Sequence, residues 1–422
     1  MTAASRDRAT LFTRERVRNY ALIFLVFGFG SVVLAAVFGD FPKVLGGQPL
    51  LPDYLAHWTG GRMVLDGRLA ELYDPGVQAR LQHAEIPGYD GLSWFVSPPF
   101  AAFIYLPLAW LPYGASALVW LSLSVTLGAL SLRWVRPLLF GDLAGESRLF
   151  ILAFLATPAV FEVLGAGQDS VLLVLLWVAG VRLMVDGRQA AAGAVLALGL
   201  FKPQLLCLVP LLFVMRRQWR ALAAFTGVGL LLALGSLLVF GLDGVQDWVH
   251  ALGSPLYSNK VQEGQTWKMQ SGSALVTDLT GLPWLAYVYL VVGAALLCVV
   301  LRRTRPDVQA DFALVALWTV SCSPHVVIYD AVILLPAAAW LFSTRNEGAL
   351  RWIALAAFVL QWTASLRFAV ASRLPDAWTL LDAPWTAIPL TALCGLAVWL
   401  RGRRTTPKDS ASLAASHGQF RT

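Results

Sequence analysis

The residues of this sequence that could do chemistry are ionisable side chains near the ends of long apolar segments. Asp53, Asp169, Lys202 and His325 lie at such ends, and Asp330 follows His325 by one to two helical turns. A charge left inside hydrocarbon costs on the order of 2.5–3.5 kcal/mol, so each position requires a physical reason. A carboxylate can accept a proton, and lysine or histidine can stabilise negative charge. We therefore predict a polar site where these segment ends meet, with Asp330 set apart as the partner of a buried polar group.

Other kinds of reactive site have no pattern in the sequence. The cysteines Cys207, Cys298, Cys322 and Cys394 are isolated within apolar stretches and lack the spacing of metal ligands. The sequence also contains no P-loop, no GxGxxG, no HExxH and no Asp-x-Asp pair. We therefore expect no metal, no cofactor and no nucleotide chemistry on the cytosolic side.

The composition is that of an integral membrane protein. Hydrophobic residues make up 58% of the 422 residues and charged residues only 14%, which leaves a soluble domain no place for its apolar surface. One crossing of the bilayer takes about 20 apolar residues. We predict an all-α polytopic protein with about 12 transmembrane helices in a single domain over residues 1–404, followed by a disordered cytosolic tail, 405–422. The predicted spans are 20–39, 115–133, 149–164, 170–185, 190–201, 205–215, 221–241, 284–301, 312–322, 326–342, 352–366 and 385–400.

The distribution of basic residues predicts the orientation of these spans. Most of the 32 Lys and Arg residues fall before the first span, after the last one and in alternate loops between them. Basic loops stay on the cytosolic side during insertion. Both termini are therefore predicted to be cytosolic, in the inner (plasma) membrane. The net charge of +7 reflects this topology and indicates no nucleic-acid partner.

Two long loops on the external side are the predicted location of the chemistry. They cover residues 40–113 and 242–283, and external juxtamembrane helices are expected within them. In the first loop, apolar residues recur at helical spacing after Asp53, with His57 and Arg62 between them, which predicts an amphipathic helix on the membrane surface that ends at Tyr73-Asp74-Pro75. The apolar segment 99–112 is short and bounded by prolines, so we interpret it as a re-entrant or interfacial piece.

Several motifs, taken in order, resemble one family. They are DYLAHWTGGRMVLDGRLAELYDP, SPPFAAFIYLPLAWLP, GQDSVLLVLL, AGAVLALGLFKPQ followed by RRQWRA, and SPHVVIYDAVILLP. Together they resemble the polyprenyl-phosphate-dependent mannosyltransferases of glycosyltransferase family 87, within the glycosyltransferase C (GT-C) superfold. The resemblance implies a GT-C helical bundle that takes a sugar, by family default mannose, from a polyprenyl phosphate on the external face. Arabinofuranose or another lipid-linked sugar stays open, and so does the acceptor, whether a glycolipid, a polysaccharide or a protein.

The same resemblance implies roles for individual residues. Asp53 is similar to the general base that takes the proton of the acceptor hydroxyl, and a single displacement with inversion is implied. His325 and Lys202 are implied to stabilise charge on the departing lipid phosphate, and Gln168 with Asp169 to orient sugar hydroxyls. His57 and Arg62 complete the predicted substrate-binding set. The sequence departs from the family pattern at Ser97, where relatives commonly have an aromatic residue, and at Asp169, where they often have Asn.

Each of these residues also has a structural interpretation. Asp53 and Asp169 could cap the helices that follow them, His325 could bond to backbone at a helix start, and Lys202 could extend to the membrane interface. For the whole chain, the alternatives are a secondary transporter or lipid-linked sugar flippase and a non-enzymatic membrane scaffold. Transporters usually repeat their topology in two halves, and no internal repeat is evident in this sequence.

Overall fold

The computed structural model describes residues 12–257, 263–344, 348–374 and 380–403. All regular secondary structure within them is helical, apart from isolated bridges between Lys43 and Pro49 and between Met269 and Val327. The predicted tail, 405–422, lies outside the described residues. The longer helices are α1 Arg14–Val37, α2 Pro52–Leu65, α3 Pro75–Glu85, α4 Tyr113–Val135, α5 Ser147–Leu155, α6 Pro158–Ala166, α7 Ser170–Val185, α8 Gln189–Ala197, α9 Val209–Met215, α10 Trp219–Leu252, α11 Gly272–Thr280, α12 Trp284–Arg303, α13 Val308–Cys322, α14 Leu335–Ser343, α15 Gly348–Trp362, α16 Ala364–Ala371 and α17 Ala387–Arg403.

Four helices are long and apolar enough to cross a membrane, and the number rises to six if each of two bent pairs is one span. The four are α1, α10, α12 and the segment Tyr113–Leu138 that contains α4; the bent pairs are α5 with α6, at 57°, and α15 with α16, at 46°. Shorter apolar helices of 10–17 residues occupy the remaining predicted spans. The chain is thus a multi-pass helical membrane protein, while the count of about 12 stays a prediction.

Lipid-facing surface is evident on the long helices. Phe27 on α1, Leu238 on α10 and Val291 on α12 are each about two-thirds or more exposed. Apolar surface of this kind is stable only when something other than water covers it. Hydrocarbon is the solvent that fits it, since these helices bury few of their residues inside the protein.

The helix that begins beside Asp53 differs from the prediction. α2 is buried on nearly all sides, with Tyr54, Leu55 and Trp58 at 0–1% exposure, so the prediction of an amphipathic helix on the membrane surface is wrong. Gly60 and Gly61 allow this packing, because a Cβ on either would collide with Phe95 or with the Tyr105 backbone.

The predicted end of this helix is also wrong. α2 ends at Leu65, and the Asp74 side chain caps the next helix, α3, by accepting a hydrogen bond from the Val77 amide at 2.9 Å. Periodicity alone could not separate the two helices, because Asp before Pro is a strong start signal for a helix as well as a stop for the preceding one.

The second long loop is largely helical. α10 continues from the predicted span to Leu252 across a bend at Gly241, whose φ of 69° lies in the region that favours glycine. Beyond the bend, the Trp248 indole nitrogen donates a hydrogen bond to the Val96 carbonyl oxygen at 3.0 Å. The extension of α10 therefore packs on the first loop.

A buried ionic cluster of Asp311, Arg216 and Arg401 joins α13, the end of α9 and α17. Asp311 is 2% exposed, and its carboxylate accepts two hydrogen bonds from Arg216, at 2.6 and 2.8 Å, and one from Arg401 at 2.7 Å. Bidentate arginine–carboxylate contacts are among the stronger polar interactions in proteins. This cluster holds the last helix against the rest of the chain.

Candidate active site

The candidate site forms where the start of α2 meets the turn between α6 and α7. Gly167 ends α6 with a φ of 74°, and a Cβ there would collide with the side chains of Leu51 and Tyr54. Leu51 also has a positive φ, 58°, which costs a non-glycine residue about 1–2 kcal/mol. The Tyr113 hydroxyl donates to the carbonyl oxygens of Leu50 and Leu51 and so supports this conformation. The close approach places the residues after Gly167 beside Asp53.

Asp53 is the second residue of α2, and its side chain is half-buried. One carboxylate oxygen, Oδ2, accepts a hydrogen bond from Gln168 Nε2 at 2.6 Å. Oδ1 has no hydrogen-bond partner among the described residues. The capping interpretation does not apply, because Leu51 occupies the N-cap position. Asp53 therefore has one oxygen held in place and one free to accept a proton.

Lys202 lies at the centre of a buried polar network. Its ammonium nitrogen is 3.0 Å from Gln168 Oε1, 2.7 Å from Ser170 Oγ and 3.0 Å from one oxygen each of Asp169 and Asp330. The side chain is only 11% exposed, so it extends into the protein and the interface interpretation is wrong. Through Gln168, the chain of contacts runs from the lysine to Asp53.

Asp330 belongs to this network, whereas its position in the sequence predicts a partner of a buried polar group outside the site. It is 1% exposed and accepts hydrogen bonds from Ser170 Oγ at 2.7 Å and from the Val327 amide at 3.3 Å, in addition to its contact with Lys202. The Lys202 ammonium also lies over the ring of Tyr329, 4.8 Å from its centroid. The lysine is thus packed between acidic and aromatic groups.

Asp169 is fully buried and lies 3.0 Å from the Lys202 ammonium nitrogen. Its Oδ2 accepts a hydrogen bond from the Tyr105 hydroxyl at 3.0 Å and lies 3.6 Å from His57 Nε2. The rings of His57 and Tyr105 stack at 4.6 Å. Asp169 does occupy the N-cap position of α7, but its side chain makes no capping hydrogen bond. The carboxylate bonds to the network instead of to the helix.

The charges of the site do not balance. The site contains three carboxylates and one ammonium group: Asp169 and Asp330 contact Lys202 directly, and Asp53 is linked to it through Gln168. Burial lowers the pKa of His57 below its ordinary value of 6.5, and the attraction of Asp169 does not overcome this effect. Histidine therefore adds no positive charge near neutral pH, and the site has an excess of negative charge.

His325 lies next to this network but outside it. Burial lowers its pKa, and the nearest charges that act on it are those of Asp330 and Lys202. Its Nδ1 is buried without a hydrogen-bond partner. A backbone hydrogen bond from the Gln270 amide to the Val326 carbonyl oxygen, at 2.8 Å, holds this segment in place. His325 therefore offers an unused polar atom beside the network.

Arg62 is not brought to the site. Its Nε donates to Asp66 Oδ2 at 3.1 Å, one turn along α2, and both side chains are about one-third exposed. This is an ordinary i,i+4 ion pair on the surface, of a kind that contributes less than about 1 kcal/mol. The prediction that Arg62 binds substrate has no support in the described contacts.

Two residues of the network, Tyr105 and Ser170, are not among the predicted site residues. Tyr105 contacts Asp169 across 64 positions, from inside a segment interpreted only as re-entrant or interfacial. Ser170 contacts Asp330 across 160 positions. The only signal in the sequence was the position of Ser170 directly after the Gln-Asp pair; nothing distinguished Tyr105 from other aromatic residues. Over the part of the chain that the structure describes, no group of three or more His, Cys, Asp or Glu side chains could hold a metal ion.

Acidification is expected to destabilise the protein through His57 and His325. Their folded-state pKa values lie below the ordinary 6.5 because loss of contact with water disfavours the charged imidazolium, so the unfolded chain binds more protons at mildly acidic pH. The contribution of the two neutral histidines to the free energy of unfolding is fully present above about pH 6.5, and it is lost as the pH falls below that value. Thermal unfolding in detergent at pH 7.5, 6.5 and 5.5 measures this effect. The loss should be smaller in His57→Gln, whereas an equal loss in that variant would contradict the prediction. His83→Gln, at an exposed histidine of α3, is the control.

The family of this chain follows from its sequence similarity to a known protein family. The chain matches the model of glycosyltransferase family 87 over residues 95–324, which is more than half of its length, and it belongs to that family. The matched region includes Tyr105, Gln168, Asp169 and Lys202 and ends one residue before His325. No curated protein and no solved structure matches the chain. The protein is therefore a membrane glycosyltransferase, and membership in this family argues against the transporter and scaffold alternatives.

Proposed function

We propose that this glycosyltransferase moves a sugar, most simply mannose, from a polyprenyl-phosphate carrier to a hydroxyl of a glycolipid or polysaccharide, with Asp53 as general base. The observation that carries the proposal is the state of the Asp53 carboxylate. Gln168 holds one oxygen at 2.6 Å, while the other is free of protein partners among the described residues. A positioned carboxylate of this kind can accept the proton of an incoming hydroxyl.

The proposed reaction is one displacement. The acceptor oxygen forms a bond to the anomeric carbon while the bond from that carbon to the phosphate oxygen breaks. The acceptor proton passes to Asp53, and the lipid phosphate leaves with the electron pair of the broken bond. The configuration at the anomeric carbon inverts, because one carboxylate serves as base and none in the network is placed as a separate nucleophile.

Lys202 and His325 have different roles in this proposal. The ammonium group of Lys202 is already surrounded by oxygens of Gln168, Ser170, Asp169 and Asp330, so its contribution is to position Gln168 and, through it, Asp53. His325, whose Nδ1 has no partner, is the residue that we assign to the departing phosphate. A neutral imidazole can donate one hydrogen bond to a phosphate oxygen without a second cation.

The surroundings of the site fit a lipid-linked donor. The proposed architecture is a GT-C bundle in the inner (plasma) membrane, with both termini cytosolic and the site on the external face. In this arrangement, Asp53 lies opposite the arginine-rich loops, and exposed apolar helices leave room for a polyprenyl chain to approach from the bilayer. Mannose is the sugar that the family resemblance implies. Ser97 and Asp169 differ from the family pattern, so these are the positions at which we expect selectivity for the sugar to differ from that of relatives.

A transfer assay with purified protein tests the proposal. Protein in nanodiscs is incubated with radiolabelled polyprenyl-phosphate mannose and a glycolipid fraction, with and without EDTA, and GDP-mannose replaces the donor in a parallel reaction. We expect transfer from the lipid-linked sugar only, unchanged by EDTA. Transfer from GDP-mannose, or transfer abolished by EDTA and restored by a divalent metal, would contradict it. Movement of the lipid-linked sugar across vesicles without transfer would favour the flippase alternative.

A further inference from the structure

A second polar site lies at the far end of α7 and α8 from Lys202. A cavity of about 630 Å³ opens between the α7–α8 turn and the α9–α10 turn, and Arg188, Arg217, Trp219 and Arg220 are among its lining residues. The 16 residues of α7 separate it from the network, a length of about 24 Å at 1.5 Å per residue. The cavity is therefore not part of the candidate active site.

The two turns that form the cavity have the same backbone conformation. Gly187 and Arg217 each have a positive φ, at 75° and 53°. Each is followed by the N-cap of the next helix, Arg188 with φ and ψ of −84° and 60°, and Gln218 with −86° and 60°. Neither cap makes a side-chain hydrogen bond to its helix. No side chain therefore caps α8 or α10, although the first amide of α8, that of Gln189, donates to the Gly187 carbonyl oxygen at 3.0 Å.

These two helix starts lie side by side. A Cβ on Gly193 would collide with the Ala221 carbonyl oxygen, so α8 and α10 approach each other to backbone contact near their first turns. Both helices begin at the cavity, and their positive dipole ends therefore add at one place. Paired helix starts of this kind favour an anion, with phosphate as the common example.

The side chains increase the positive charge. Arg188, Arg217 and Arg220 are exposed, and none has an ion-pair or hydrogen-bond partner for its guanidinium group within the described ranges. The nearest acidic side chain in sequence, Asp186, is ion-paired with Arg182 at 3.3 Å. The general preference for basic residues on one membrane face explains the side on which the arginines lie, but not their arrangement around one cavity.

Arg217 occupies a position that its backbone does not favour. The equivalent residue of the other turn is Gly187, which adopts a positive φ without steric cost, whereas an arginine is strained there. Packing does not require the larger side chain, because the residue is exposed. The guanidinium group itself is the remaining physical reason for an arginine at this turn.

The cavity has an apolar rim at Trp219, a lining residue that is 57% exposed. Val185 and Val214 precede the lining residues Gly187 and Arg217 by two and three positions, and they are 44% and 38% exposed. An indole beside exposed aliphatic groups is typical of the level where headgroups meet acyl chains. We propose that this cavity binds the phosphate headgroup of an anionic phospholipid, with the three arginines and the two helix starts around the phosphate and the acyl chains against the apolar rim.

Thermal unfolding of the full-length protein in neutral detergent tests the proposal. The probes are dioleoyl phosphatidylglycerol, dioleoyl phosphatidylcholine and inorganic phosphate, each titrated separately. We expect phosphatidylglycerol to raise the unfolding midpoint by several degrees and the other two to have less than half this effect. In Arg188→Gln/Arg217→Gly/Arg220→Gln, the rise should disappear. Arg217→Gly alone should unfold at the same or a higher temperature than the wild type without lipid, because the strain is relieved, yet bind the lipid more weakly.

Arg302→Gln/Arg303→Gln is the matched control, since it removes two exposed arginines at the end of α12, outside the cavity. This control should keep the full response to phosphatidylglycerol. The proposal is overturned if the control and the cavity variant lose the response equally, or if the cavity variant keeps it. An equal effect of phosphatidylcholine would also overturn it, and an equal effect of inorganic phosphate would identify a free anion as the ligand instead of a lipid.

Discussion

Asp53→Asn is expected to lower the rate of sugar transfer by about 10²- to 10⁴-fold, the usual contribution of a general base. Asparagine has the same shape and can still accept the hydrogen bond that Gln168 donates, so the contacts at the start of α2 should persist. What the variant lacks is an oxygen basic enough to take the acceptor proton. The measurement is the initial rate of transfer from polyprenyl-phosphate mannose, together with the midpoint of thermal unfolding.

Asp66→Asn is the control for this experiment, because it changes the other aspartate at the ends of the same helix, where the carboxylate forms a partly exposed ion pair with Arg62. It should leave the transfer rate unchanged. A rate for Asp53→Asn within a few-fold of the wild type, at unchanged stability, would show that Asp53 is not the base. A large fall in the unfolding temperature would instead assign the residue a structural role.

Lys202→Met is expected to destabilise the protein by about 3–5 kcal/mol, the usual cost of removing one partner of a buried ion pair. Methionine fills much of the same volume, but Asp169 and Asp330, at 0% and 1% exposure, lose their shared cation. Gln168 also loses the lysine that positions it beside Asp53. Both stability and transfer should therefore fall, and the measurements are the denaturation midpoint in detergent and the transfer rate.

A double variant separates charge from packing in this prediction. Lys202→Met/Asp330→Asn removes one of the two uncompensated carboxylates and should recover part of the lost stability, whereas a packing defect would leave it as low as in the single variant. Lys268→Met is the control, because its ion pair with Glu162 is longer, at 3.6 Å, and about one-quarter exposed. Its expected cost is below about 1 kcal/mol. Equal losses for Lys202→Met and Lys268→Met would contradict the proposed network.

The family match and the polar network cover different parts of the chain. The matched region, 95–324, contains Gln168, Asp169 and Lys202, whereas Asp53 and Asp330 lie outside it. The contacts that the structure places between the two groups connect the matched region to the proposed base. The assignment of Asp53 therefore depends on these contacts and on the activity of its variant.

Local pattern accounts for much of what could be predicted from the sequence. Runs of apolar residues determine where a chain can leave water, so the helices fall close to the predicted spans, although length alone supports only four to six crossings. A charge near hydrocarbon is costly, and this cost predicts Asp53, Asp169 and Lys202 as site residues from the sequence alone. The motifs that carried the resemblance are likewise short and local.

Contacts between distant segments decided the rest. The bond from Gln168 to Asp53 spans 115 positions and that from Lys202 to Asp330 spans 128, and no spacing rule predicts which apolar helices will bring such residues together. The burial of α2 depends on the partners that cover its second face, which helical periodicity does not encode, so a buried helix was predicted as a surface one. For the same reason, Arg62 of the predicted site pairs with Asp66 instead, whereas Tyr105, for which no role was predicted, contacts Asp169. By itself, the sequence determined that this protein lies in a membrane and which types of residue form its site. Tertiary packing decided which of these residues meet. Charges buried in apolar surroundings are stable only when polar partners satisfy them, and here those partners are distant in sequence.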